Sequence, residues 1–83
     1  MEKKLVLVDC NNDKCPIPFI KTRNALLKSS PTTLIKVVGD DERSYYELIM
    51  ALEVWNVKVL KIDKKKERWE ILFVTTEKGE VNE

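Results

Sequence analysis

The spacing of hydrophobic residues in the first half of the chain predicts a strand, a helix and a second strand. Residues 5–8 form a short apolar run, which is typical of a strand buried on one or both faces. Residues 10–14 then predict a loop. Between about residues 16 and 28 apolar positions recur at helical spacing, and the face predicted to pack on a sheet carries Phe19, Ile20, Leu26 and Leu27. After a break at residues 29–31, residues 33–38 predict the second strand.

The second half of the chain predicts a helix followed by a hairpin. Asp40, Asp41 and Ser44 are suited to cap a helix over about residues 42–55. The predicted buried stripe of this helix consists of Tyr45, Leu48, Ile49, Leu52 and Trp55. Residues 57–62 and 69–75 predict two strands joined by a lysine-rich turn at residues 64–67. Residues 77–83 are predicted to be a frayed tail.

These elements follow one another in the order βαβαββ. Because strand–helix–strand crossovers are right-handed, both helices are expected on one face of a four-stranded mixed sheet. The predicted fold class is therefore α+β, a two-layer α/β sandwich. With 83 residues the chain has room for a single small domain over residues 1–83, whose ordered core is predicted at about residues 3–76.

The composition narrows the classes of function. A net charge of +1 gives no general attraction for nucleic acid or anionic lipid, so direct nucleic-acid binding is not expected. The apolar run at residues 5–8 is too short for the core of a signal peptide or for a membrane span, and we expect a cytoplasmic protein. In a reducing cytosol the two cysteines are expected as thiols rather than as a disulfide.

The strongest candidate for chemistry is Cys15, in the sequence Cys15-Pro16-Ile17-Pro18 at the start of the first predicted helix. The helix dipole and the positive charge of Lys14 are expected to lower the pKa of this thiol. Pro16 and Pro18 lack N–H donors in the first turn, which weakens the effect of the helix start on the thiol pKa. We interpret the two prolines as a rigid support for Cys15. Ile17 points away from the predicted sheet-facing side. It is either an ordinary exposed residue or a candidate partner contact.

The absence of histidine weighs against a self-sufficient enzyme. A hydrolytic or acyl-transfer cysteine needs an adjacent base, which is usually an imidazole. Two cysteines without histidine do not complete a tetrahedral zinc site, and the C-x4-C spacing differs from thioredoxin-like motifs, so no metal and no cofactor are expected. Exchange of sulfur between thiols needs only a thiolate, access and a partner's sulfur, which favours a carrier.

Two further features leave alternatives open. Cys10 is interpreted as a small buried hydrophobe at the end of the first strand, and the alternative is a redox partner that resolves sulfur on Cys15. Tyr46, Met50 and Val54 form a second apolar row on the second helix. Core packing is the favoured interpretation of this row, and a partner or dimer face is the alternative.

The Cys-Pro-x-Pro motif after a strand and at a helix start resembles the TusA/SirA family of sulfur carriers. Residues 15–27, CPIPFIKTRNALL, are similar to the first helix of that family, and Asp9 and the pair Asp40-Asp41 also match its pattern. With the element order included, the resemblance covers about residues 4–76. Asn12 stands where the family commonly has glycine, and Trp55-Asn56 replaces the usual Gly-His pair; asparagine is the next most tolerant residue after glycine for a positive φ.

The resemblance implies a carrier that accepts sulfur on Cys15 as a persulfide, or as a thiosulfonate from thiosulfate. It implies a cysteine desulfurase or a rhodanese-like protein as the donor and a DsrE-like or other protein as the acceptor. The pathways it implies are tRNA thiolation, molybdenum-cofactor assembly or sulfur metabolism, and a monomer or weak dimer is expected. The alternative is a non-catalytic regulatory or interaction module on the same fold, in which Cys15 is buried and inert.

Overall fold

The computed structural model describes residues 5–30 and 32–75. Its elements are β1 (Leu5–Cys10), α1 (Ile17–Lys28), β2 (Leu34–Gly39), α2 (Glu42–Trp55), β3 (Lys58–Lys64) and β4 (Trp69–Val74). This sequence of elements confirms the predicted order βαβαββ. The predicted break at Pro31, the limits of the ordered core at residues 3 and 76 and the tail at residues 77–83 lie outside the described residues.

The four strands form one mixed sheet in the order β1-β2-β4-β3. β1 runs parallel to β2, as a crossover through α1 requires, and β4 is antiparallel to both β2 and β3. β1 continues two residues beyond its predicted end, because Cys10 still pairs with Gly39 of β2. β3 is an edge strand, and a bulge between Val59 and Lys61 interrupts its pairing with β4.

Alternate side chains of the strands point to one face of the sheet, where they meet both helices. The buried hydrophobic residues of the strands are Val8, Cys10, Ile35, Val37, Trp69, Ile71 and Phe73, and those of the helices are Leu26, Leu48, Ala51, Leu52 and Trp55. Full burial of a large apolar side chain contributes about 1.5–3 kcal/mol, so this single layer provides most of the driving force for folding. The two-layer sandwich with both helices on one face is thereby confirmed.

The buried stripe of α1 differs from the prediction. Ile20 and Leu27, which were predicted to face the sheet, are 46% and 51% exposed. Leu26 is buried and Phe19 packs against the core, as predicted, but the other buried positions are Pro18 and Thr22, so the buried residues lie at i, i+4 and i+8. Because α1 packs against α2 as well as against β1 and β2, its buried face is turned towards the junction of helix and sheet. The spacing of apolar residues within α1 does not show this tertiary requirement.

α2 buries the stripe that its sequence predicts. Leu48, Leu52 and Trp55 are buried, while Tyr45 and Ile49 are half-buried against them. The ring of Trp55 also contacts Phe19 of α1, with 5.5 Å between the ring centroids. These contacts join the end of α2 to the start of α1.

The second apolar row of α2 is not part of the core. Tyr46, Met50 and Val54 are 55%, 67% and 81% exposed, so the interpretation of this row as core is wrong. The row lies on the side of α2 that faces away from the sheet, and the sheet therefore does not cover it. Neither helix of the described chain has the length and apolar character needed to cross a membrane.

Asparagine occupies two of the backbone positions with positive φ. Asn12 has φ 73° in the loop after β1, and Asn56 has φ 59° at the end of α2. Asn12 stands where the family that the sequence resembles commonly has glycine, and Asn56 is the second residue of the Trp55-Asn56 pair that replaces the usual Gly-His pair. Asparagine adopts this left-handed region more readily than other non-glycine residues, so both turns are kept.

Candidate functional site

Cys15 lies at the end of the loop that connects β1 to α1. It immediately precedes Pro16, the N-cap residue of α1, and the peptide bond between them is cis. The Cys15 side chain is partly exposed, and Lys14 and Ile17 are exposed beside it. The motif therefore presents a thiol at a helix start, one residue before the cap.

Two aspartates that follow β2 hold the backbone of this loop. The Asn12 N–H donates to the Asp40 carboxylate, with distances of 3.0 and 3.1 Å to its two oxygens, and the Cys15 N–H donates to Asp41 Oδ2 at 3.2 Å. These contacts follow from the topology, because the carboxyl ends of the parallel neighbours β1 and β2 lie at the same edge of the sheet. The backbone of Cys15 is thus held by a residue 26 positions further along the chain.

An ion pair fixes the other side of the loop to α1. Lys21 Nζ lies 2.6 Å from Asp13 Oδ2 and also donates to the backbone carbonyl of Asp9 at 3.2 Å. Because the same ammonium group contacts the end of β1 and the middle of the loop, it ties both to the first turns of α1. The loop that carries Cys15 is therefore anchored from two directions.

Asp41 connects the loop, α2 and the sheet. Its carboxylate caps α2 by accepting the Ser44 N–H at 3.1 Å and the Ser44 hydroxyl at 2.8 Å. Its backbone carbonyl accepts the indole N–H of Trp69 at 3.0 Å. The hydroxyl bond from Ser44, together with the N–H bonds from Ser44 and Cys15 and the charge of Lys14, lowers the pKa of Asp41 below its ordinary value.

The Cys15 thiol donates a hydrogen bond to Glu47 of α2, with 3.0 Å between Sγ and Oε1. This bond is the largest cause of a raised Cys15 pKa; partial burial and the negative charges of Glu47 and Asp41 add to it, and Arg43 opposes it. The expectation that the helix start and Lys14 lower the pKa of this thiol is therefore wrong. A carboxylate within hydrogen-bond distance outweighs them.

The first turn of α1 offers the sulfur little compensation. Pro16 and Pro18 have no N–H, and the N–H of Ile17 donates to the Lys14 carbonyl at 2.8 Å. Three backbone positions that would otherwise point donors towards an anion are thereby absent or occupied. The prolines give the loop a fixed shape, and Pro18 is itself buried beneath it.

Cys10 has a different environment from Cys15. It is completely buried at the end of β1, as its interpretation as a small hydrophobe predicts. Burial raises the pKa of the Cys10 thiol to about 11, although the nearby positive charge of Lys21 partly opposes this. A thiol of this kind is protonated at neutral pH and closed to solvent.

Sequence reasoning missed Glu47, Arg43 and the Lys21–Asp13 ion pair of this site. Glu47 is 32 positions from Cys15 in the sequence. Nothing in the surrounding sequence distinguishes it from other exposed acidic residues on a helix. Only the Asp40-Asp41 pair carried a sequence signal, through its position after β2. Among residues 5–30 and 32–75, no group of three or more Cys, Asp or Glu side chains is arranged to hold a metal ion.

The exposed apolar residues named by the sequence analysis lie close to this contact along their helices. Tyr46 and Met50 flank Glu47 on α2, and Ile17 begins α1 two residues after Cys15. All three are more than 40% exposed. Each of the three lies within three residues of Cys15 or Glu47 along the chain.

Comparison with known proteins adds to this geometry. A family model described as sulfurtransferase TusA matches residues 6–75, which includes Cys15 and reaches from β1 beyond the end of β4. A comparison with curated proteins gives no match. Membership of that family implies a sulfur carrier that works with sulfur donors and acceptors. Since the match spans most of the sequence, the chain belongs to the TusA sulfurtransferase family.

Proposed function

We propose that Cys15 carries sulfur as a persulfide between a donor protein and an acceptor protein. The observation that carries this proposal is a partly exposed thiol on an anchored loop, in a chain whose other thiol is completely buried. A carrier needs one sulfur atom that the sulfur of a partner can approach. The alternative of an interaction module with an inert, buried Cys15 is less well supported, because this thiol is accessible.

Transfer of sulfur to Cys15 requires no oxidant and no cofactor. The thiolate of Cys15 attacks the outer sulfur of a donor persulfide, and the bond between the two donor sulfurs breaks. The electron pair of the broken bond remains on the inner sulfur of the donor. That sulfur then takes up one proton, which balances the proton that Cys15 lost on forming its thiolate. A second exchange with an acceptor thiol removes the sulfur and restores Cys15. Because Glu47 favours the protonated thiol, the donor has to promote the thiolate, so Cys15 is a partner-activated nucleophile.

The donor in this proposal is a cysteine desulfurase or a rhodanese-like protein, and the acceptor is a DsrE-like or other sulfur-accepting protein in the cytoplasm. The carried sulfur then serves tRNA thiolation, molybdenum-cofactor assembly or sulfur metabolism. Support for these assignments comes from family membership. A thiosulfonate is the alternative cargo; Cys15 receives it by exchange from a donor thiol that already carries it, and the donor leaves as a thiolate. The carrier acts as a monomer or weak dimer.

Ile17, Tyr46 and Met50 form the proposed docking contact for these partners. They are exposed apolar side chains within three residues, along the chain, of Cys15 or Glu47, whose contact the sulfur of a partner has to reach. Lys14, Pro16 and Pro18 support the loop and do not react. Met50→Asp is expected to slow sulfur loading from a donor protein while leaving loading from a small persulfide unchanged. If Met50→Asp is loaded by the donor protein as fast as the wild type is, the docking contact is contradicted.

Intact mass after incubation with a cysteine desulfurase and free cysteine tests the function. The wild type is expected to gain about 32 Da, the mass of one sulfur atom, and Cys15→Ser is expected to gain none. Cys10→Ser is the matched control and is expected to load and release sulfur as the wild type does, since Cys10 is buried. The proposal fails if the wild type gains no sulfur or if Cys15→Ser gains as much. If Cys10→Ser loads sulfur but does not release it, the alternative holds, in which Cys10 is a redox partner that resolves sulfur on Cys15.

A further inference from the structure

The Cys15–Glu47 hydrogen bond distinguishes an empty carrier from a loaded one. We propose that Glu47 is a positioning residue that holds empty Cys15 as a protonated thiol and releases it when Cys15 carries sulfur. This inference rests on the proposed function. It assigns to Glu47 a role that the Cys-Pro-Ile-Pro motif does not contain.

The direction of the hydrogen bond is the first step of the argument. An ionised carboxylate only accepts hydrogen bonds, so the contact of 3.0 Å between Cys15 Sγ and Glu47 Oε1 requires a proton on the sulfur. The partners are not free to drift apart, because the Cys15 N–H is bound to Asp41 and Glu47 lies on the helix that Asp41 caps. The geometry thus selects the thiol over the thiolate.

The charges around the sulfur act in the same direction. Glu47 and Asp41 bring two carboxylates to Cys15, one from the first half of α2 and one from its cap, while Arg43 is the opposing cation. Lys14 precedes Cys15 in the loop, where its charge acts on Asp41. The surroundings of Cys15 are therefore unfavourable for an anionic sulfur.

Loading with sulfur removes the basis of the contact. Once Sγ is bonded to a second sulfur, it has no proton to donate to Glu47. The outer sulfur of a persulfide is a stronger acid than a thiol, so it is largely anionic at neutral pH, and the Glu47 carboxylate repels it. The loaded side chain then turns away from α2 and presents its sulfur outwards. The thiol of an empty carrier is therefore protonated and weakly nucleophilic, whereas the sulfur of a loaded carrier is exposed. This difference favours transfer of the sulfur to an acceptor.

The pH dependence of Cys15 alkylation tests the empty state. Rates with iodoacetamide are measured for the wild type, for Glu47→Gln, and for Glu53→Gln, which removes the same charge six residues further along α2. Loss of one unit charge at contact distance in a water-exposed site is expected to raise the thiolate fraction at pH 7 about fivefold. Nucleophilicity falls as the thiol becomes more acidic, so the rate at pH 7 rises only about twofold and the plateau rate at high pH falls.

A lower midpoint together with a lower plateau in Glu47→Gln, with Glu53→Gln unchanged, supports the proposal. A merely structural role of Glu47 would not produce this pair of changes. The proposal is overturned if the profile of Glu47→Gln coincides with that of the wild type, or if Glu53→Gln shifts it as much.

The loaded state is tested by equilibrating each protein with a fixed ratio of glutathione persulfide to glutathione and measuring the fraction with an added sulfur. Glu47→Gln is expected to hold at least about twofold more sulfur at equilibrium, because the contact that favours the empty thiol and the repulsion of the loaded form are both removed. An equal or smaller loaded fraction overturns the release of loaded Cys15. If no protein gains sulfur from glutathione persulfide although the wild type gains it from the desulfurase, the release of loaded Cys15 is overturned. If the wild type gains sulfur from neither source, the proposed function fails, and the alkylation profile still decides whether Glu47 holds the thiol.

Discussion

Asp41→Ala tests whether one carboxylate holds together the loop of Cys15 and the start of α2. Three donors converge on Asp41 Oδ2, namely the N–H groups of Ser44 and Cys15 and the Ser44 hydroxyl, at 3.1, 3.2 and 2.8 Å. Alanine removes all three bonds. The bond from Trp69 survives, because it is accepted by the backbone carbonyl of Asp41.

The expected loss in the free energy of unfolding is the sum of three local terms. Removal of an N-cap side chain costs about 1 kcal/mol. The Ser44 hydroxyl is buried and loses its acceptor, which costs about 1 kcal/mol more, and the partly buried Cys15 N–H adds about 0.5 kcal/mol. We therefore expect Asp41→Ala to lose about 2–3 kcal/mol. Tm falls by about 4–8 °C per kcal/mol in a domain of this size, so the expected decrease is about 10–20 °C.

Urea unfolding followed by the fluorescence of Trp55 and Trp69 measures this loss, since both indoles are buried. Asp41→Asn is the matched control: asparagine caps helices about as well as aspartate, so it is expected to lose less than about 1 kcal/mol. A loss below about 0.5 kcal/mol in Asp41→Ala, or an equal loss in both variants, would refute the assignment of these bonds to the carboxylate.

The same carboxylate gives the stability a dependence on pH. The pKa of Asp41 is lower in the folded protein than its ordinary value, so its stabilising effect is fully present above the unfolded pKa of about 4. That effect is lost as the pH falls through the folded pKa. The difference in unfolding free energy between the wild type and Asp41→Asn is therefore expected to shrink from about pH 5 downwards, and a difference that stays constant to pH 2 would contradict it.

Two further substitutions test the packing of the core. A Cβ on Gly39 would lie 2.5 Å from the Trp69 ring, so Gly39→Ala is expected to lose about 1–3 kcal/mol in urea unfolding; a loss below about 0.5 kcal/mol would mean that the ring moves freely. The Thr22 hydroxyl is buried and has no hydrogen-bond partner within the described chain. Thr22→Val is expected to raise the unfolding free energy by about 1 kcal/mol, and a loss would show that the hydroxyl is satisfied.

The sequence predicted the element order and the sheet because the spacing of apolar residues within each segment is enough to distinguish a helix from a strand. The stripe of α2 was also predictable, since most of its buried residues are apolar and recur at helical spacing. α1 contacts both the sheet and α2, and its buried stripe includes Pro18 and Thr22, which no hydrophobic pattern selects. That part of the core depends on how the two helices meet.

The candidate site was predictable only in its local part. The motif placed Cys15 at a helix start, because Pro16 and Pro18 fix where α1 begins. The pKa shift of its thiol was predicted with the wrong sign, because the deciding group, Glu47, reaches it only through the approach of α1 to α2. A long-range contact between a partly exposed and an exposed side chain has no periodicity and no local signature.

The edge strand β3 has a consequence for how the protein behaves at high concentration. Val59, Leu60 and Ile62 are exposed on this strand, and a flat apolar edge of that kind is a template for pairing with the same edge of another copy. The bulge between Val59 and Lys61 breaks the regular row of backbone donors and acceptors, and Lys58 and Lys61 place like charges along it. Growth of a continuous sheet through the β3 edge is thereby opposed.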